Sequence, residues 1–141
     1  MIQQFYPQPI HQFQYELNKD FHFAAAHYIP HDDAKKCKNV HGHTYFLNLT
    51  IVGNDLNHTG FLVDFKKIKE IVHKKYDHQL LNDFPEFNKL NYPSTEVVAR
   101  VIWKSIQDYL DQESNKPKCI QVIVRETPTS YVVYRPKKGV N

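Results

Sequence analysis

Apolar and polar positions change their period twice along this chain. From Phe13 to Tyr28 aromatic residues recur in a strand-like run, and the polar triplet Asn18-Lys19-Asp20 in its middle predicts a bulge. Pro30 to Asn39 is polar and reads as a loop. Thr44 to Val52 puts Tyr45, Leu47, Leu49 and Ile51 on one face, the alternation of a second strand. After a turn at Asn54–Gly60 the period becomes helical. Asp64 is a natural N-cap, and Phe65, Ile68, Ile71, Val72 and Tyr76 form one apolar stripe. Asp83 to Pro93 is a connection. Ser94 or Thr95 then caps a second helix whose stripe is Val98, Val101, Ile102, Ile106, Tyr109 and Leu110. Lys118–Glu126 and Ser130–Arg135 read as two last strands joined at Thr127-Pro128-Thr129. The order ββααββ predicts an α+β domain, a four-stranded antiparallel sheet with both helices on one face. Such a sheet has edges to blunt or to pair with other subunits. No repeat, low-complexity stretch or linker divides residues 1–141, so one domain is expected, with residues 1–12 as an extended arm.

The candidate chemistry lies in His27 and in Cys37-x-x-x-His41-Gly42-His43. Residues at i and i+2 of a strand point the same way, so His41 and His43 converge if Gly42–Gly53 is extended, with Gly42 leaving room for a close approach. A histidine on a neighbouring antiparallel strand closes three sides of a tetrahedron and leaves the fourth open, as catalytic zinc sites require. The chain has nine histidines, and most have an ordinary explanation. His11, His31 and His58 fall in polar segments or turns, His73 reads as solvated on a lysine-rich helix, and His22 as packed in an aromatic strand. Asp77-His78 follows the first helix, where a histidine suits the negative end of the helix dipole; the two are also a potential proton-transfer pair. Glu126 ends an apolar strand, and Glu96 suits the first turn of the second helix. By local pattern alone these carboxylates are a surface group at a turn and a dipole partner, although a carboxylate at Glu126 can also accept two parallel N–H bonds from a heterocycle.

Composition narrows the classes. The formal charge of +3 selects neither nucleic acid nor a small anion, and no basic stripe interleaved with aromatics suggests nucleic acid. No stretch approaches the ~20 apolar residues of a membrane span. Met1–Pro7 lacks the basic and apolar regions of a signal peptide, so a cytoplasmic protein is expected. In that setting a disulfide between Cys37 and Cys119 is not expected, and Cys119 reads as a buried structural thiol.

Six segments taken in order resemble the 6-pyruvoyl-tetrahydropterin synthase / 6-carboxy-tetrahydropterin synthase family. They are Phe23-Ala24-Ala25-Ala26-His27, Cys37-x-x-x-His41-Gly42-His43-x-Tyr45, Gly60-Phe61-Leu62-Val63-Asp64-Phe65, Asp77-His78-x-x-Leu81-Asn82, Pro93-Ser94-Thr95-Glu96 and Val124-Arg125-Glu126-Thr127. The resemblance implies the tunnelling fold, with sheets joining into a multi-subunit barrel, commonly a hexamer, and active sites between subunits. It implies zinc held by His27, His41 and His43, with Cys37 as the catalytic thiol and Asp77 with His78 as the proton relay. Glu126 would anchor the 2-amino and N3 hydrogens of a pterin, with Ser94 and Glu96 at the substrate. Serine at Ser94 stands where the family pattern has threonine, Tyr76 where a leucine often precedes the acid, and Ala24 where many members have serine.

Only Lys38-Asn39-Val40 separate the thiol from His41. That spacing is similar to the bacterial carboxy-forming enzymes of queuosine (7-deazaguanine) biosynthesis, whereas the animal pyruvoyl-forming enzymes carry a longer insert, and Cys37 excludes the branch with glutamate there. The resemblance thus implies conversion of 7,8-dihydroneopterin triphosphate to 6-carboxy-5,6,7,8-tetrahydropterin, acetaldehyde and triphosphate, with the pyruvoyl-forming reaction as alternative. A zinc-stabilised module binding a purine, pterin or RNA without catalysis is a further alternative, although structural zinc sites fill all four positions. A zinc hydrolase is disfavoured because His-Glu-x-x-His is missing.

Overall fold

A computed structural model describes residues 6–137. Strand β1 (Tyr15–His27) and strand β2 (His41–Gly53) are each 13 residues long. They pair antiparallel without interruption from Tyr15 opposite Gly53 to His27 opposite His41. The bulge expected at Asn18-Lys19-Asp20 is therefore absent. Asn18 and Asp20 meet polar partners directly across the ladder: Thr50 donates its hydroxyl to Asn18 Oδ1 at 2.9 Å, and Asn48 Nδ2 donates to Asp20 Oδ1 at 2.8 Å. Matched cross-strand pairs let polar residues sit in a regular strand. The register shifts lie elsewhere, between Thr50 and Ile51 opposite β4 (Lys118–Thr127), and between Arg125 and Thr127 of β4 opposite β5 (Ser130–Tyr134).

Helices α1 (Phe65–Tyr76) and α2 (Thr95–Leu110) follow the predicted stripes except at Phe65, which at the first turn of α1 is exposed. Between them a two-residue strand, β3 (Gln79–Leu80), pairs parallel with Ala25–Ala26 of β1. It adds a fifth strand to the four expected and makes the sheet order β3-β1-β2-β4-β5. Two residues carry no alternation, so no pattern announces them. The loop from Pro30 to Asn39 holds a 3₁₀ segment, Asp32–Lys38, whose first turn is capped by His31 Nδ1 accepting the Asp33 N–H at 3.0 Å.

The core lies between the helices and one face of the sheet. Phe23, Tyr45, Leu49 and Ile51 meet Ile68, Val72 and Tyr76 of α1 and Val98, Ile102, Ile106 and Leu110 of α2, all essentially excluded from solvent. Each large apolar side chain buried there contributes roughly 1.5–3 kcal/mol relative to exposure. Asp64 Oδ1 accepts the Lys66 N–H at 3.0 Å and Ser94 Oγ the Val97 N–H at 3.2 Å, which settles Ser94 as the second cap. Asp64→Ala is expected to destabilise the protein by about 1 kcal/mol, read as a lower urea midpoint with unchanged slope.

On the helix-free face the N-terminal arm supplies cover. Gln121, buried on that face, donates from Nε2 to the Pro7 carbonyl at 2.9 Å and accepts from Arg135 Nε at 2.7 Å. The expected arm thus meets the sheet at Pro7 while Ile10 is fully exposed; residues 1–5 lie outside the described residues. Cys119 is buried and its thiol is pushed up to about 12 by desolvation, while Cys37 is exposed, and neither is in a disulfide. Among the described residues no helix is long and apolar enough to cross a membrane.

Candidate active site

The continuous β1–β2 ladder assembles the histidines. His27 stands directly opposite His41, and His43 opposite Ala25, so period-two alternation puts all three imidazoles on the helix-covered face at one end of the sheet. Ring centroids are 4.4 Å apart for His27–His41, 5.0 Å for His41–His43 and 5.1 Å for His27–His43. Gly42 is not what permits this approach. A Cβ there would meet the Ala25 carbonyl oxygen at 3.6 Å, an ordinary contact.

Two backbone carbonyls fix the imidazole tautomers. His27 Nδ1–H donates to the Pro93 carbonyl at 2.6 Å, and His41 Nδ1–H to the Asn39 carbonyl at 2.7 Å. In the neutral tautomer so selected Nε2 is the acceptor, the arrangement in which a second hydrogen bond orients a metal ligand. His27 Nε2 is buried with no partner. His43 Nε2 is also buried, 2.8 Å from Glu126 Oε1 but not aligned for a hydrogen bond with it. Leaving buried polar atoms unmade costs about 1–3 kcal/mol each, and a cation among them removes that cost. Desolvation, the largest cause in both, holds His27 and His43 below the ordinary histidine range, with Glu126 acting in the opposite direction. Both are therefore neutral near pH 7, as ligation requires.

Glu126 lies against the three histidines. Its carboxylate and the three imidazoles offer ligand atoms that all lie within 4.8 Å of one another. Three imidazole nitrogens with one carboxylate oxygen suit a borderline-soft divalent ion such as zinc, so the residues fit the expected metal. Glu126 is carried in by the irregular end of β4, and its other oxygen accepts a hydrogen bond from the Thr95 hydroxyl at the start of α2. Local pattern made Glu126 a surface group and did not single out Thr95, which is buried. The one available signal was the doubled hydroxyl Ser94-Thr95, of which only one can cap the helix. The Tyr45 ring lies 5.6 Å from that of His43, and its buried hydroxyl has no partner. Burial, then the Glu126 charge, pushes that phenol far above its ordinary value and keeps it a neutral donor.

Among the described residues, the other expected residues make no hydrogen bond or ion pair with the cluster. Cys37 is exposed on the 3₁₀ segment, where its carbonyl accepts the Ile29 N–H at 2.8 Å. Asp77 Oδ1 accepts the Ala24 N–H at 2.8 Å. That bond is the largest influence holding the carboxyl below the carboxylate range; desolvation opposes it, and His78, His73 and His22 reinforce it. His78, with φ 61°, turns the chain from α1 into β3 and leaves its side chain 83% exposed, with Nε2 3.5 Å from Asp77 Oδ2. His78 and His43 border one open depression of about 600 Å³ over Ala24, Ala26, Gly42 and Thr44. Among the described residues no hydrogen bond or ion pair joins Asp77 or His78 to the histidine cluster or to Cys37. Ser94 adjoins Thr95 with its hydroxyl oxygen engaged as the cap, and Glu96 is exposed in the first turn of α2.

Residues 16–137 match the family model for 6-pyruvoyl tetrahydropterin synthase. The 6-carboxy-5,6,7,8-tetrahydropterin synthase of Bacillus subtilis is 54% identical, over 99% of this chain and 97% of its own length. The enzyme of the same name from Synechocystis is 32% identical, over 84% of this chain and 91% of its own. Among solved structures, the 6-pyruvoyl tetrahydropterin synthase of Caenorhabditis elegans superposes with a TM-score of 0.69 at 23% identity, over 87% of this chain and 96% of that one. At that identity it bears on the fold, which is the tunnelling fold.

Proposed function

The chain belongs to the 6-pyruvoyl tetrahydropterin synthase family, and we propose that it is a zinc-dependent 6-carboxy-5,6,7,8-tetrahydropterin synthase. It would act in the cytoplasm, in queuosine (7-deazaguanine) biosynthesis, converting 7,8-dihydroneopterin triphosphate and water to 6-carboxy-5,6,7,8-tetrahydropterin, acetaldehyde and triphosphate. The observation that carries the choice of product is the near-full-length likeness to the Bacillus subtilis enzyme. The metal rests on the unpartnered imidazole nitrogens and the Glu126 carboxylate that converge with them.

His27, His41 and His43 would hold the ion. When bound, it supplies Lewis acidity that stabilises negative charge developing on the substrate. Cys37 acts as the base that removes a proton from the substrate side chain, and His78, held by Asp77, moves protons to and from the side-chain oxygens. Glu126, steadied by Thr95, accepts the 2-amino and N3 hydrogens of the pterin. Ser94 and Glu96 lie at the adjoining start of α2, and the Ser94 hydroxyl proton remains free to donate. By resemblance the complete site would form between subunits of a homo-oligomer, a hexamer; among the described residues of one chain no hydrogen bond or ion pair ties Cys37 or the Asp77–His78 pair to the clustered histidines. Pairing of the outer strands β3 and β5 is the natural route to it.

A mass-spectrometric product assay on zinc-loaded protein tests the proposal. Release of 6-carboxy-tetrahydropterin with acetaldehyde is expected. A 6-pyruvoyl product would assign the other reaction, which the matched family model's name favours and the same residues can serve. Bound zinc with no turnover would leave a binding module.

A further inference from the structure

Sequence pattern made His73 a solvated residue on a lysine-rich helix, and the structure places it otherwise. It sits in the last turn of α1 with its side chain 26% exposed, and its Nδ1 donates to the His22 carbonyl at 2.5 Å. Its Nε2 lies 3.5 Å from Asp77 Oδ2, the same oxygen that is 3.5 Å from His78 Nε2. The other oxygen of Asp77 is taken by the Ala24 N–H. The carboxylate is therefore gripped from the backbone on one side and shared between two imidazoles on the other. His22, whose ring meets that of His73 edge to face at 6.1 Å, closes this group of three histidines around one acid.

We propose that His73 is a positioning residue for the Asp77–His78 relay: anchored to the His22 carbonyl, it fixes which way Asp77 Oδ2 points and so where His78 is held. The inference deepens the proposed function and rests on it for the role of His78. Its geometric part concerns Asp77 alone. A pinned ring matters here because His78 is largely exposed and has no packing of its own to hold it. Small misplacement of a proton-transfer group lowers the rate steeply.

The amide variants separate anchoring from positioning. His73→Gln keeps a donor near the place of Nε2, facing Asp77, whereas His73→Asn keeps one near Nδ1, facing the His22 carbonyl. The assay of product formation is run beside ¹H–¹⁵N correlation spectra of ¹⁵N-alanine-labelled protein, in which the Ala24 amide reports the Asp77 carboxylate directly. His73→Asn should lower kcat about tenfold with KM unchanged, and should shift the Ala24 amide resonance. His73→Gln, which keeps the donor facing Asp77 but loses the anchor, should fall between wild type and His73→Asn on both readouts. Wild-type kinetics and an unmoved Ala24 amide in a folded His73→Asn protein would overturn the proposal, as would equal losses in the two variants. If the wild type itself does not turn over, the proposed function fails, and the Ala24 resonance still decides whether His73 orients Asp77.

Discussion

Cys37→Ala is expected to abolish product formation while leaving metal content and fold unchanged. The thiol is exposed on the 3₁₀ segment and belongs neither to the core nor to the donor atoms gathered by His27, His41, His43 and Glu126. Alanine there opens no cavity, removes no ligand and suits the helical turn. What it removes is the proposed base, and positioned proton transfer contributes typically ~10²–10⁴-fold to a rate. Single-turnover product formation should fall by about that factor, with zinc measured by a colorimetric chelator still stoichiometric. Two results would sink this reading. Turnover within a few-fold of wild type would move the base elsewhere. Loss of zinc with the thiol would make Cys37 a fourth ligand, returning the site to the filled coordination of a structural zinc centre.

The histidine cluster was legible because its geometry is local. Period-two alternation predicts that His41 and His43 share a face if their strand is extended, and the antiparallel register brings His27 opposite His41, so three imidazoles converge. The relations that escaped the pattern all depend on tertiary placement. Glu126 reaches the cluster through an irregularity between β4 and β5, and Thr95 reaches Glu126 only once α2 is laid on the sheet. His73 was mistaken for a solvated residue because its helix is dense in lysine, but its own position faces β1 and the His22 carbonyl. The bulge at Asn18–Asp20 was predicted from polarity, and the partners Thr50 and Asn48 that make it unnecessary lie some thirty residues further along the chain. Helix stripes and caps need only neighbours in sequence, and apart from the exposed Phe65 they agree with the pattern.

The second large effect expected is that of His27→Ala on metal affinity and on its dependence on pH. Three imidazoles sharing the roughly 10–16 kcal/mol of a protein-held zinc ion contribute about 3–5 kcal/mol each, on the order of 10²–10⁴-fold in affinity. The variant should lose about that much in a chelator competition at pH 7.5, and it also strands the Pro93 carbonyl that His27 now satisfies. The pH dependence follows from the two depressed histidines. In the unfolded chain they titrate near the ordinary value of about 6.5, and in the fold His27 and His43 titrate below it because burial disfavours their charge. Between those values the unfolded chain binds more protons, so metal-free protein should lose stability as pH falls below about 6.5. Zinc affinity should fall in the same window, since each imidazole must be neutral to ligate. Urea denaturation of the metal-free protein at pH 7.5 and 5.5 reads the first trend, and His27→Ala, with one of the two buried rings gone, should show a shallower change than wild type. Metal-free wild type equally stable at both pH values would mean that the rings are solvated before the ion arrives. A His27→Ala protein that still held zinc at wild-type affinity would remove His27 from the ligand set.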